Sequence, residues 1–130
     1  MRHSLLLLCV IAASSSCTQM QHGKATEEIL SFIPGSYVRT FEGPFAIGRD
    51  TLIIGQPGRQ ANYYTIHHNS SFQRIIENNL RSIEYKTEDW TAIFNETQDV
   101  LVEQKFGKLI SFLPEEGELL LGNNKYYKIK

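Results

Sequence analysis

Side chains that could do chemistry are few in this chain and lie far apart. His67 and His68 come first, because imidazole is a common metal ligand. Neighbours on a β-strand point to opposite faces, so this pair cannot easily hold one ion. Glu115, Glu116 and Glu118 could act as paired carboxylates, but they flank a glycine just after a proline. We expect that acidic run to be a solvated turn, and we predict no metal site.

A second acidic group comprises Glu84, Glu88 and Asp89, which could line a cavity. Their alternation with Lys86 favours cross-strand charge pairing instead. The sequence contains no nucleophile elbow, P-loop, HExxH or dinucleotide-binding motif. We therefore predict that the protein is not an enzyme and uses no cofactor.

Aromatic side chains are better candidates for binding than for catalysis. Four of the six tyrosines form two doublets, at 63–64 and 126–127. Each doublet puts one ring on each face of a strand. One ring of each doublet is expected in the core, and the other is free to form an exposed aromatic patch. The residues that we single out as candidates for contacting a ligand or partner are Tyr63, His67, Trp90 and Tyr126.

Composition limits the classes of protein to consider. The 130 residues fit one domain, and the formal net charge is −1. Lysines and arginines are scattered rather than clustered, which argues against nucleic-acid binding. The two cysteines, Cys9 and Cys17, both lie near the amino terminus, so no disulfide can form within the body of the chain.

The amino-terminal segment is laid out as a secretory signal. A short basic start, 1–3, is followed by the apolar run 5–13 and then by small residues up to Cys17. The run is too short to cross a bilayer, which takes about 20 apolar residues. We predict a signal peptide over 1–16, a polar tether over 17–24 and a single domain over 25–130. An ordinary cleaved signal, with Cys17 incidental, remains an alternative.

One short helix and a series of β-strands are predicted in that domain. Ile29, Phe32 and Ile33 form an apolar stripe between a Thr26 cap and the Pro34–Gly35 stop. From residue 36 onwards, β-type runs are divided by turn signals every 8–12 residues or so. This pattern predicts a mainly all-β domain, an antiparallel meander of about eight or nine strands that closes on itself.

Two details of the strand pattern are specific enough to test. Glu77–Asn79 reads as a tight turn, because asparagine tolerates the left-handed conformation. In the strand that follows, Ile83 and Tyr85 have one parity, whereas Trp90 and the apolar residues after it have the other. Such a switch predicts a β-bulge or bend near Glu88–Asp89.

The segment around Cys17 resembles a bacterial lipoprotein signal, because Ser15 and Ser16 are small residues directly before the cysteine. This resemblance implies that Cys17 carries acyl chains such as palmitate, enough for stable anchoring. In Bacteroides-type bacteria, acidic residues soon after the cysteine tend to mark export to the cell surface. The stretch 18–24 has none. The resemblance therefore implies an outer-membrane lipoprotein that faces the periplasm.

The body resembles small envelope lipoproteins of Bacteroides-type bacteria with a lipocalin-like barrel or half-barrel. The matching stretches are Gly35–Val38, Asp50–Ile54, Trp90–Phe94 and Gly107–Phe112. The resemblance implies a small lipocalin-like barrel and a non-catalytic accessory protein that binds another envelope protein. Some such lipoproteins are encoded among mobile-element transfer functions, which makes transfer machinery one expected partner.

Two other functions remain open from the sequence. A lipocalin-like carrier of a small apolar ligand would need an interior cavity of roughly 300 Å³ or more. The many large apolar side chains favour a filled interior instead. An inhibitor of a hydrolase such as lysozyme would present a protruding loop, for which Gly55–Gln60 is the best candidate.

Overall fold

The computed structural model of this chain describes residues 17–58 and 62–130. The leader predicted over 1–16 therefore lies outside the described residues. The elements, in chain order, are α1 (Cys17–Phe32), β1 (Gly35–Glu42), β2 (Ala46–Gly55), β3 (Tyr63–Ile76), β4 (Asn79–Asn95), β5 (Val100–Glu103), β6 (Leu109–Leu113), a 3₁₀ helix (Pro114–Glu116), β7 (Glu118–Leu121) and β8 (Asn124–Lys128).

The strands form a closed antiparallel barrel in which each strand pairs with its neighbours in sequence. The last strand, β8, closes the barrel by pairing with β1, where Tyr37 lies opposite Lys128 and Val38 opposite Tyr127. The predicted fold class is confirmed: an all-β meander, here of eight strands, with one helix before it. Closure leaves no sheet edge around the part of the barrel where β1 and β8 meet.

Helix α1 closes one end of the barrel. It begins at Cys17 rather than near Ala25, so the segment predicted as a tether lies within the helix. Its last turn docks through Phe32, whose ring meets Tyr37 and Phe112 edge-on. The hydroxyl of Tyr37 donates to the carbonyl oxygens of Phe32 and Ile33, at 2.7 and 3.0 Å, and so satisfies the end of the helix.

Within the part of the chain that the structure describes, no helix combines the length and apolar character needed to cross a membrane.

The core fills the barrel with large side chains from every strand. Alternate residues point inward along each strand, as the two-residue period requires. The buried apolar residues are Ile33, Tyr37, Leu52, Ile54, Tyr64, Ile66, Trp90, Ala92, Phe94, Leu101, Ile110, Phe112, Leu119 and Tyr126.

Strands β3 and β4 are much longer than β5 to β8, and this inequality shapes the molecule. At the end opposite α1, β1 to β4 continue beyond the closed barrel as a four-stranded sheet. We call this sheet the overhang; it comprises residues 40–49 and 69–89. The β3–β4 turn at its tip has Glu77 and Asn78 at φ of 51° and 62°, which confirms the predicted turn.

The bulge predicted near Glu88–Asp89 is wrong. The β3–β4 register runs without a shift from Tyr63 opposite Ile93 to Gln73 opposite Ile83. The register shift lies nearer the tip, between Gln73 and Ile75. Apolar residues change face along β4 because the strand leaves the barrel, and beyond it Ile83 and Tyr85 are exposed on the outer face.

Candidate partner-binding surface

The barrel interior is occupied by protein side chains. The phenol rings of Tyr37, Tyr64 and Tyr126 are all buried in it, beside aliphatic residues from neighbouring strands. Burial raises the pKa of each of these tyrosines above its ordinary value. For Tyr126 the nearby charge of Asp50 adds to the effect, and the pKa rises to about 12. These hydroxyls therefore stay protonated, and those of Tyr37 and Tyr126 donate hydrogen bonds.

A polar cluster centred on Asp50 lies where the overhang meets the barrel. Arg39 donates to the buried Asp50 carboxylate at 3.1 Å, and Tyr126 donates to it at 3.4 Å. The Nε2 atom of His68 lies 3.5 Å from the same carboxylate. Burial acts to raise the pKa of Asp50, but hydrogen bonds with His68 and Ser70 and the charges of His68 and Arg39 outweigh it and lower the pKa. Asp50 is therefore held as a carboxylate.

Trp90 extends this cluster across the barrel mouth. Its ring lies 5.0 Å from that of His68, and its indole nitrogen donates to Glu88 at 3.0 Å. The ammonium of Lys108 lies 4.3 Å above the same indole, close enough for a cation–π contact. The arrangement surrounds the Trp90 indole with the His68 ring, a carboxylate and an ammonium group. Among residues 17–58 and 62–130, no group of three or more His, Cys, Asp or Glu is placed to hold a metal ion.

The outer face of the overhang carries a groove of about 400 Å³. The strand registers put most of its lining side chains on one face, in two adjacent rows across β1, β2 and β3. The groove is lined by Thr40, Phe41, Glu42, Ile47, Gly48, Arg49, Ser71, Phe72, Gln73 and Ile83. It thus offers apolar contacts between a carboxylate and a guanidinium.

Gly48 allows the strands around this groove to approach closely. A Cβ atom at Gly48 would lie 2.7 Å from the Phe41 ring and 2.8 Å from Phe72, and it would also collide with the carbonyl oxygen of Ser71. No side chain fits at this position without moving the neighbouring strands. The close approach of β1, β2 and β3 behind the groove therefore depends on a glycine near the start of β2.

The overhang exposes several large apolar side chains. Phe45 is 79% exposed and Tyr85 is 77% exposed. The amide of Ile75 donates to the carbonyl of Phe45 at 2.8 Å, which ties the β1–β2 turn to β3. Other exposed apolar residues of this region are Ile76, Leu80 and Ile83. Clustered exposed apolar side chains of this kind mark interaction surfaces.

One edge of the overhang has no neighbouring strand. Strand β4 pairs with β5 only through Ala92–Asn95, whereas its pairing with β3 continues to the tip. In the described part of the chain, no strand pairs with the other side of Asn79–Trp90. Unpaired strand edges are templates for the addition of another strand.

The candidate residues from the sequence do not form one site. Trp90 and Tyr126, 5% and 2% exposed, face the interior and close the barrel mouth. Tyr63 and His67 face outward, and His67 lies 2.5 Å from Asp89 on the neighbouring strand. Cys17, the predicted lipidation site, is the first residue of α1.

Sequence reasoning missed the groove and the free edge. The groove brings together residues of four strands, and only the register places them side by side. A glycine within an apolar strand was the one signal available, because such a glycine marks a close approach of backbone. The predicted loop Gly55–Gln60 lies partly outside the described residues.

Comparison with known proteins finds no match: no protein-family model, no curated protein and no solved structure matches the chain.

Proposed function

We propose that this protein is a non-catalytic, lipid-anchored protein of the bacterial cell envelope that binds another envelope protein. The overhang is its docking surface. The observation that carries the proposal is the pairing of a filled barrel with a projecting sheet that has an apolar groove and exposed aromatic side chains. Transfer machinery of a mobile element is one class of partner consistent with it.

The filled interior supports partner binding over ligand carriage. A carrier of a small apolar molecule needs internal volume, which in an eight-stranded barrel competes with side chains. Here Tyr37, Tyr64 and Tyr126 all point into that volume and are buried. The groove on the overhang lies instead on the outer face, where a side chain of a partner protein can reach it.

The position of the helix supports anchoring at the opposite end. Helix α1 precedes the first residue of β1, whereas the overhang begins at the far end of that strand. A lipid on Cys17 would therefore hold the helical end near the membrane and leave the overhang turned away from it. Confinement to a membrane surface raises the effective concentration of a partner anchored in the same membrane.

Groove chemistry defines the kind of partner segment that fits. Ile47 and Ile83 supply apolar contacts, and Glu42 and Arg49 supply one charge of each sign. A protein segment with an apolar side chain flanked by a basic and an acidic residue would match this arrangement. Buried apolar anchors with a polar rim are the usual organisation of protein interfaces.

Site-specific photo-crosslinking in the native envelope tests this proposal. A photoreactive residue replaces Ile47, which lines the groove, and in a matched control it replaces Ile53. Both positions lie on the outer face of β2, but Ile53 is outside the groove. We expect a discrete crosslinked protein from position 47 and none from position 53.

A second variant makes the result specific to the groove. Ile47→Glu places a charge among apolar contacts and should abolish binding of that protein, whereas Ile53→Glu should leave it intact. Equal crosslinking from both positions, or none from either, would contradict the proposal. A small apolar molecule that remains bound in native mass spectrometry would support carriage instead.

A further inference from the structure

The free edge of β4 has a defined hydrogen-bonding pattern. The amide of Phe94 donates to Asn62 at 2.8 Å, so even-numbered residues of β4 direct their backbone polar groups toward β3. The carbonyl of Thr91 accepts from Gln104 at 2.9 Å, so odd-numbered residues direct theirs to the opposite side. The register with β3 is continuous as far as Ile83. Ile83, Tyr85, Thr87 and Asp89 therefore present their N–H and C=O groups along the free edge.

We propose that this edge pairs with the same edge of a second copy of the chain. The two β4 strands run antiparallel about a two-fold axis that passes beside Tyr85. Glu84 then lies opposite Lys86 of the second copy, and Lys86 lies opposite Glu84 of that copy. The edge is therefore complementary in charge to itself, and opposite charges directly across two strands stabilise their pairing.

The charges on β4 favour this register over registers shifted by one or two residues. A two-fold axis perpendicular to the sheet must place one residue of β4 opposite itself. A shift of one position in either direction places Glu84 against Glu84 or Lys86 against Lys86. Centring on Ile83 forms no charge pair, and centring on Thr87 keeps only the pair between Lys86 and Glu88. Tyr85 is the centre at which both Glu84 and Lys86 lie opposite a residue of the other sign.

A second copy fits the edge better than another part of this chain does. The other free edge of the overhang, on β1 from Arg39 to Glu42, is much shorter than Asn79–Trp90. The pairing would join two overhangs into one continuous eight-stranded sheet. Because the axis is perpendicular to the sheet, both grooves would open on the same face. The proposal goes beyond partner binding at the groove, since it requires only this chain.

Charge-reversal variants test the pairing directly. The full chain is prepared in mild detergent with two different affinity tags, and capture of one tagged copy by the other is measured. Glu84→Lys sets lysine against lysine, and Lys86→Glu sets glutamate against glutamate. Each variant mixed with itself should show dimerisation weakened about tenfold or more. Mixing Glu84→Lys with Lys86→Glu restores opposite charges at every pair and should recover capture to near the wild-type level.

The mixed pair separates the proposal from simpler explanations. A variant that fails to fold cannot be rescued by mixing, and co-capture in a shared micelle would not depend on which variants are mixed. Equal capture in like and unlike mixtures, or a wild-type chain that shows no co-capture, would overturn the proposal. Ile47→Glu serves as a control, since a groove variant should leave self-pairing unchanged. Failure of self-pairing would leave groove binding untouched, because no second protein takes part in this test.

Discussion

The two halves of β4 have similar alternation but opposite surroundings. In the barrel half, Trp90, Ala92 and Phe94 point inward and are buried by facing strands. In the overhang half, Ile83 and Tyr85 point outward and are exposed. The inner face of this half also has no strand opposite it, since β5 to β8 have ended. Alternation therefore identifies the apolar face of a strand, but it does not show whether another part of the protein covers that face.

The two halves of β4 therefore differ in how much they contribute to stability and in how much surface they leave available. Apolar burial is the main favourable term in folding, so the barrel half contributes most of the stability. The overhang half buries little and keeps its apolar side chains and one strand edge available. Regions with few buried contacts open at low free-energy cost, which suits the docking role that we propose for the overhang.

The largest expected difference comes from removing an apolar side chain on each side of this division. Leu101→Ala deletes a fully buried side chain in the barrel and should lower the free energy of unfolding by about 2–5 kcal/mol. Ile83→Ala, on the overhang, should change it by less than about 0.5 kcal/mol. Chemical denaturation followed by tryptophan fluorescence reports both values. Equal losses would show that the overhang is part of the cooperative core.

The Asp50 cluster at the boundary should give the next largest effect. Asp50→Asn weakens the contacts with Arg39, Tyr126 and His68 and should cost about 1–3 kcal/mol. The pKa of Asp50 is lower in the folded state than in the unfolded chain. Its contribution is therefore fully present above the unfolded pKa of about 4 and is lost as the pH falls through the folded value.

Denaturation at several pH values measures this dependence. The wild-type chain should lose stability on acidification below about pH 4, and Asp50→Asn should show a smaller loss over the same range. An identical pH profile for the two proteins would show that Asp50 does not contribute through its charge.

The turn between β5 and β6 should give a smaller effect within the barrel half. The buried carboxylate of Glu103 accepts from the amides of Lys105 at 2.6 Å and Phe106 at 2.9 Å, and Lys108 lies at 3.4 Å. Burial opposes ionisation, but these backbone hydrogen bonds lower the pKa of Glu103. Glu103→Gln retains the shape and removes the charge, and it should cost about 1 kcal/mol. An unchanged denaturation midpoint would contradict this role.

The smallest effect on stability is expected at the free edge. Tyr85→Ser removes an exposed ring and should change the free energy of unfolding by no more than about 0.5 kcal/mol. The same change should weaken self-association, because the ring lies at the centre of the proposed pairing. Chemical denaturation checks the first statement, and sedimentation of the variant and the wild type over a range of concentrations checks the second. A large loss of stability without a change in association would show that Tyr85 supports the fold and not the pairing.

Much of the fold was predictable because turn signals and alternation are local. The Glu77–Asn79 turn and the burial of one ring of the 63–64 doublet, that of Tyr64, follow from short-range chemistry. The error near Glu88–Asp89 arose because a change of apolar face reads as a bulge when every apolar side chain is assumed to be buried. The start of α1 was missed because 17–24 has no apolar stripe.

The sites were less predictable because they depend on register. Asp50, His68 and Tyr126 meet only after three separate strands are aligned. Trp90 and Tyr126 were reasonable candidates as aromatic residues, but burial inside the barrel removes them from the accessible surface. Gly48 was the clearest local sign of the groove, since a side chain there would collide with its neighbours.

Residue-resolved amide exchange along β4 tests the central claim most directly. In dilute protein, the amides of Glu84 and Lys86, which face β3, should be protected. Those of Tyr85 and Thr87, which face the free edge, should exchange rapidly. Raising the protein concentration should slow exchange at Tyr85 and Thr87 specifically. Protection of all four amides at every concentration would show that another element already covers this edge and would contradict the account.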